Sequence, residues 1–191
     1  MLFRSDAFTA PFLCVRGTGT PWNQEAHAAA LATLDQFSKE WSQYMRGDLR
    51  IVDDIAVTEA DRQNHHVILF GDPGSQRLLA EALPGLPVKW TRDMIEVDGE
   101  RFPAANHLPV LIHPSPWGGA GGKYLVLNSG HTFHASEFAK LNYLLYPRLG
   151  DWAVLRFPAL DAFDPDHRRG RIHRHKCSDA LRLTGLERQP G

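Results

Sequence analysis

The chain has 191 residues, 43% of them hydrophobic and 23% charged, and carries a net charge of −1. These values suit one soluble globular domain with enough apolar material for a core. No apolar run reaches the roughly 18 residues of a membrane span. The two cysteines form neither a disulfide framework nor a zinc motif: Cys14 lies in an apolar stretch and Cys177 in a basic one. Cys14 reads as buried structural sulfur. Residues 1–6 lack the charged and apolar regions of a signal peptide. A cytoplasmic location is therefore expected for the chain as written, and export if it is a piece of a larger parent protein.

In chain order, residues 12–15 (Phe-Leu-Cys-Val) read as a short buried strand closed by the turn 16–20. Ala30, Leu31, Leu34, Phe37, Trp41, Tyr44 and Met45 then recur at three- and four-residue steps, one face of a helix of about five or six turns. Asn23 is its expected N-cap and Gly47 its stop. Residues 49–52 are a second candidate strand, followed by an acidic segment. The clearest central strand is 67–70 (Val-Ile-Leu-Phe), ending in Gly71 as expected where both faces are covered. A helix follows through Leu78, Leu79, Ala82 and Leu83 and ends at Pro84-Gly85. Asp98-Gly99, flanked by 94–97 and 101–102, is a strong hairpin signal. Strands are expected at 110–112, 124–127 and 152–157, with a helix near 136–146.

The strand–helix rhythm predicts an α/β fold: a three-layer, Rossmann-like sandwich with a mostly parallel sheet and one antiparallel hairpin. Residues 1–158 form the α/β domain and 159–191 a basic C-terminal arm without a strand period. Within the arm, 167–176 holds five Arg or Lys and no acid, leaving 16 basic against 22 acidic residues elsewhere, a net of −6. The arm is a separate electrostatic object. It lacks the interleaved aromatics of single-strand binders, which ranks nucleic acid last among the partners.

Ligands of open parallel sheets bind beyond the carboxyl ends of the strands. Four polar turns are expected to converge there: 16–20, 71–75, 113–116 and 128–134. The turn 71–75 (Gly-Asp-Pro-Gly-Ser) presents backbone N–H groups and a helix start, suited to an anion, but lacks the Lys-Ser/Thr of a P-loop and the three-glycine dinucleotide spacing. Its plainer role is helix capping by Asp72 or Ser75. Gly71, Gly74, Ser75, Asn128 and Arg16 are the candidate substrate-binding residues. Ser129 beside His131, with Asp72, invites a nucleophile–base reading. No Gly-x-Ser-x-Gly elbow occurs in the chain, however, which argues against a self-contained Ser-His-Asp hydrolase. His131 and His134 are candidate ligands for a divalent metal, with His65, His66, His107 or His113 approaching from neighbouring strands and Asp72 or Asp93 as the carboxylate. The sequence otherwise calls for no cofactor.

The stretches "FLCVRGTGTPWN", "LFGDPGSQRLL", "LPVKW", "YLVLNSGHTFH" and "LLYPRLGDWAVL" resemble an accessory α/β module of bacterial prolyl-oligopeptidase-like or esterase-like hydrolases, commonly exported. The resemblance covers residues 6–157, and the chain departs from the pattern from Pro165 onward. It implies a Rossmann-like module, attached to or derived from a hydrolase, that helps shape a substrate site. In such proteins the serine nucleophile belongs to a separate α/β-hydrolase domain, so no catalytic residue is carried over. Two readings follow. The first is a non-catalytic module acting with a hydrolase domain or a small-molecule substrate. The second is a small metal-dependent hydrolase of esters or lactones, in which His131 and His134 bind a metal that activates water.

Overall fold

The computed structural model describes residues 7–118, 122–130, 152–156 and 172–174. The longest apolar runs among these lie at the centre of a seven-stranded sheet. Its strands are β1 (Phe12–Arg16), β2 (Ile51–Asp53), β3 (His66–Phe70), β7 (His107–Pro114), β8 (Tyr124–Leu127), β9 (Trp152–Arg156) and β10 (Ile172–Arg174). Their order is β10-β9-β7-β8-β3-β1-β2. From β2 to β8 the pairing is parallel, with Leu13 beside Val67 and Ile68 beside Val126. β7 runs antiparallel to both β8 and β9, and β10 runs antiparallel to β9. The sheet is thus mixed, with all but β7 and β10 pointing the same way.

Every residue of β3 is buried, as its unbroken apolar run requires of a strand with neighbours on both sides and cover on both faces. On one face Leu13, Val15, Val67, Leu69 and Leu127 pack with Leu78 and Leu79 of α3 (Arg77–Ala82). On the other face Cys14, Ile68, Phe70 and Val126 pack with Leu34 and Phe37 of α1 (Gln24–Met45). Phe8, Phe12, Phe37 and Trp41 meet there at ring distances of 5.1–6.4 Å, three of the contacts edge-to-face with Phe37 or Trp41. Asn23 caps α1 as expected, its side chain accepting from the N–H groups of Glu25 and Ala26. The left-handed position that ends α1 falls on Arg46 (φ 56°), one residue before the expected Gly47.

The Asp98-Gly99 hairpin is present, with φ 51° and 78°, the two positive angles a type I′ turn demands. It joins β5 (Met94–Val97) to β6 (Glu100–Pro103), and with β4 (Val88–Trp90) forms a separate antiparallel sheet of three strands. Val88, Trp90, Ile95 and Val97 bury one face of this small sheet against the α3 side of the core. Four features depart from the sequence reading. β7 is longer than 110–112 and reversed. β4 is additional, since three residues carry too little alternation to read. The short helix α2 (Glu59–Asn64) is additional too, although Thr58 and Asp61 form a full capping box. Residues 172–174, expected to lack a strand, extend the sheet through pairing with β9. The expected helix 136–146 lies outside the described residues. No helix among them is long and apolar enough to cross a membrane.

Candidate functional site

The carboxyl ends of β2, β1, β3 and β8 share one edge of the sheet, and the expected turns 16–20 and 71–75 follow them there, together with 128–130, the described part of the turn 128–134. Gly71 leaves β3 at φ 134°, where a Cβ would come 2.7 Å from Ser75 Oγ. Asp72 Oδ1 accepts from the N–H groups of Gly74 (3.1 Å) and Ser75 (2.8 Å). Asp72 Oδ2 accepts from the N–H of Asn23 at 2.8 Å, fixing the start of α1. Ser75 Oγ accepts from Asp72 N (3.0 Å) and donates to Asp72 O (3.2 Å). Asp72 and Ser75 are buried, at 1% and 0% exposure.

Asn128 leaves β8 in the left-handed conformation, φ 48°. Its side chain clasps Gly71 from both sides: Oδ1 accepts from Gly71 N (2.9 Å) and Nδ2 donates to Gly71 O (3.1 Å). The turns after β3 and β8 are thus joined directly, as the strand order predicts. Ser129 is fully buried, and its hydroxyl donates to Gly130 O at 2.8 Å. Gly130 lies so close to the Phe37 ring that a Cβ would stand 2.6 Å from it.

The turn after β1 packs on the same knot. A Cβ on Gly17 would come 2.7 Å from Ser75 O, and one on Gly74 would come 2.7 Å from Thr20 O. Two backbones therefore touch with no side chain between them, the reason glycine is needed there. Gly19 N donates to Ser75 O (2.8 Å), and Gln76 Nε2 reaches Val15 O (3.1 Å). Arg16 is exposed and already paired with Asp53 at 2.7 Å.

The sequence reading passed over Asp54, which lies buried in the acidic segment after β2. It accepts from Thr18 Oγ1 (2.7 Å) and from Arg77 N (2.7 Å), binding the turn after β1 to the start of α3. A long-range partner gives no local signal, so Asp54 had none to offer. His27 was likewise unassigned. Its Nδ1 faces Gly71, is shielded from solvent and has no hydrogen bond.

The turn 113–116 is a correction. Because β7 is antiparallel, its C-terminal end lies beside the start of β8, with Pro114 opposite Tyr124, at the other edge of the sheet. The histidines are divided in the same way. His65 and His66 precede or begin β3 near that far edge, while His107 starts β7 opposite Arg156. His107 Nδ1 lies 2.8 Å from Pro103 O, and His113 Nδ1 2.9 Å from Pro114 O. Among the described residues no group of three or more His, Cys, Asp or Glu is placed to hold a metal. His131 and His134 lie outside those residues. Cys14 is enclosed in the core, and burial pushes its thiol well above the usual cysteine range, leaving an inert sulfur.

Chemically, the described part of this edge is a set of reciprocal caps. Asp72 serves the start of α1, Asp54 and Gln76 serve the start of α3, and Asn128 ties β8 to β3. Exposed polar groups along it include Arg16, Thr18, Thr20 and Arg77. Compared with models of known families, with curated proteins and with solved structures, the chain matches none.

Proposed function

We propose that the chain is a non-catalytic α/β module of a hydrolase system, a Rossmann-like layer structure whose carboxyl edge shapes or binds substrate for a partner hydrolase domain. One observation carries this reading. Among the described residues, the candidate polar groups Asp72, Ser75, Asn128 and Ser129 are buried and direct their hydrogen bonds at backbone groups of their own or neighbouring turns. A general base must present a free lone pair to substrate, and a nucleophilic hydroxyl must be reachable. An edge locked in this way instead offers a rigid ledge, and Arg16, Thr18 and Thr20 are its points of contact. The likeness to accessory modules of esterase-like hydrolases supports the same reading.

The test is hydrolysis of p-nitrophenyl acetate and of a simple lactone by the purified chain, with added zinc and with chelator, beside Asp72→Asn and His131→Ala. The expected result is no turnover above the variants under any of these conditions. Turnover that zinc restores after chelation, and that His131→Ala abolishes with the fold intact, would replace this reading with a metal-dependent hydrolase.

A further inference from the structure

We infer that His27 is a substrate contact of this edge, its Nε2–H donating to an acyl oxygen, the carbonyl of an ester or the carboxylate that hydrolysis leaves. The inference rests on the module reading above and names the group that its ledge holds. Buried polar atoms normally find a partner. Among the described residues three do not: Nδ1 of His27, Nε of Arg62 and Oγ of Ser115. Arg62 pairs its other guanidinium nitrogens with Glu59 and Glu81, and Ser115 follows β7 at the far edge of the sheet. Of the three, His27 alone stands at the carboxyl edge, with Nδ1 3.7 Å from the place a Cβ on Gly71 would take. Gly71 follows β3, the fully covered strand, and ligands of open α/β sheets bind beyond such ends.

Packing does not account for the ring. His27 lies one helical turn after Asn23, between buried Ala26 and Ala30. Histidine is a poorer helix former than leucine or alanine, and an enclosed ring nitrogen without a partner adds a desolvation cost. A residue that breaks local rules without a gain in stability marks a functional position. The enclosure also fixes the proton. Nδ1 has no acceptor, and a buried orphan N–H is less tolerable than a buried orphan lone pair. The neutral ring therefore keeps Nδ1 bare and carries its proton on Nε2. His27 is only partly buried, and no hydrogen bond among the described residues engages Nε2. Its neighbours along the edge are already engaged, Asp72, Asn128 and Asp54 by backbone donors and Arg16 by Asp53. A neutral N–H donor with nothing to donate to fits an oxygen acceptor, and acyl oxygens are the acceptors that the substrate of an esterase-like partner presents.

Two-bond proton–nitrogen NMR spectra of the full chain at about pH 8, where imidazoles are neutral, read both ring nitrogens. The His27 signals are assigned by their absence from His27→Leu. A protonated Nε2 and a bare Nδ1 are expected. Acetate or ethyl acetate, titrated to about 100 mM, should move the His27 Nε2 signal saturably and leave His113, at the far edge, unmoved. The amide signal of Gly71 reads binding in the variants. His27→Leu should weaken it at least about tenfold, whereas His27→Gln, whose amide NH2 takes the place of Nε2–H, should retain most of it. The Tm of His27→Leu should be unchanged or higher, since an orphan polar atom is removed. An unmoved ring, equal shifts at His27 and His113, or full binding by His27→Leu overturns the inference. So does a fall in Tm of more than about 5 °C in His27→Leu, which would make the ring a structural one. The two readings fail separately: ester turnover by the parent chain overturns the non-catalytic module, whereas an unmoved His27 ring without turnover overturns this contact alone.

Discussion

Replacing Asp72 with alanine removes one carboxylate and strands three backbone donors: Asn23 N, Gly74 N and Ser75 N, at 2.8, 3.1 and 2.8 Å. The side chain is 1% exposed, so water has little access to take its place. An unsatisfied buried donor costs about 1–3 kcal/mol, and hydrogen bonds to a charged group lie at the upper end of the usual range. Allowing for partial relaxation around Asn23, which is only half-buried, the expected loss is about 3–5 kcal/mol. In a chain of this size that is a drop in Tm of about 6–20 °C. Asp72→Asn keeps an oxygen for the two donors inside the turn, but its NH2 group then faces Asn23 N–H. It should cost about 1–3 kcal/mol, less than alanine. Urea unfolding with a shared m value measures both. A loss below about 1 kcal/mol for alanine would refute the accounting and return Asp72 to the list of free chemical groups.

Leu69→Ala, at a fully buried position between β1 and β8, should cost about 2–5 kcal/mol in the same assay. Gly74→Ala should destabilise by more than the usual glycine change, since its Cβ would come 2.4 Å from Trp22 Cδ1 and 2.7 Å from Thr20 O; an unchanged Tm would mean that the two turns can separate freely. Thr58→Ala removes the cap of α2 and should cost about 1 kcal/mol near neutral pH. Hydrogen bonds from Thr58, and then from Arg50, hold the Asp61 carboxyl below the usual carboxylate range. A depressed folded value stabilises fully above the unfolded value and is lost as pH falls through the folded one. The Thr58→Ala penalty should therefore shrink as pH is lowered through about 4 and below, and a penalty that grows on acidification would contradict it.

Much of the architecture is legible in local pattern because it rests on local physics. The unbroken run Val67-Ile68-Leu69-Phe70 gives a covered strand, Asn23 a helix start and Asp98-Gly99 a hairpin, since burial, capping and positive φ are each demanded by a few adjacent residues. The direction of β7 is different. An apolar strand reads alike in either orientation, so only its register with Tyr124–Leu127 shows that the turn 113–116 stands at the far edge of the sheet. The same limit explains β4 and the pairing of Ile172–Arg174, each too short to carry a period.

At the candidate site, sequence alone placed the turns after β3 and β8 at one edge, because parallel strands of one sheet end at the same edge. It could not decide whether Asp72, Ser75 and Asn128 are free to act. Their partners, Asn23, Gly71 and the backbone of the turn itself, come partly from 49 to 57 residues away. A hydrogen bond satisfied across that separation leaves no trace in spacing or composition. Residue types supplied the chemistry these groups are capable of, and the tertiary structure decided that it is used to lock the edge together.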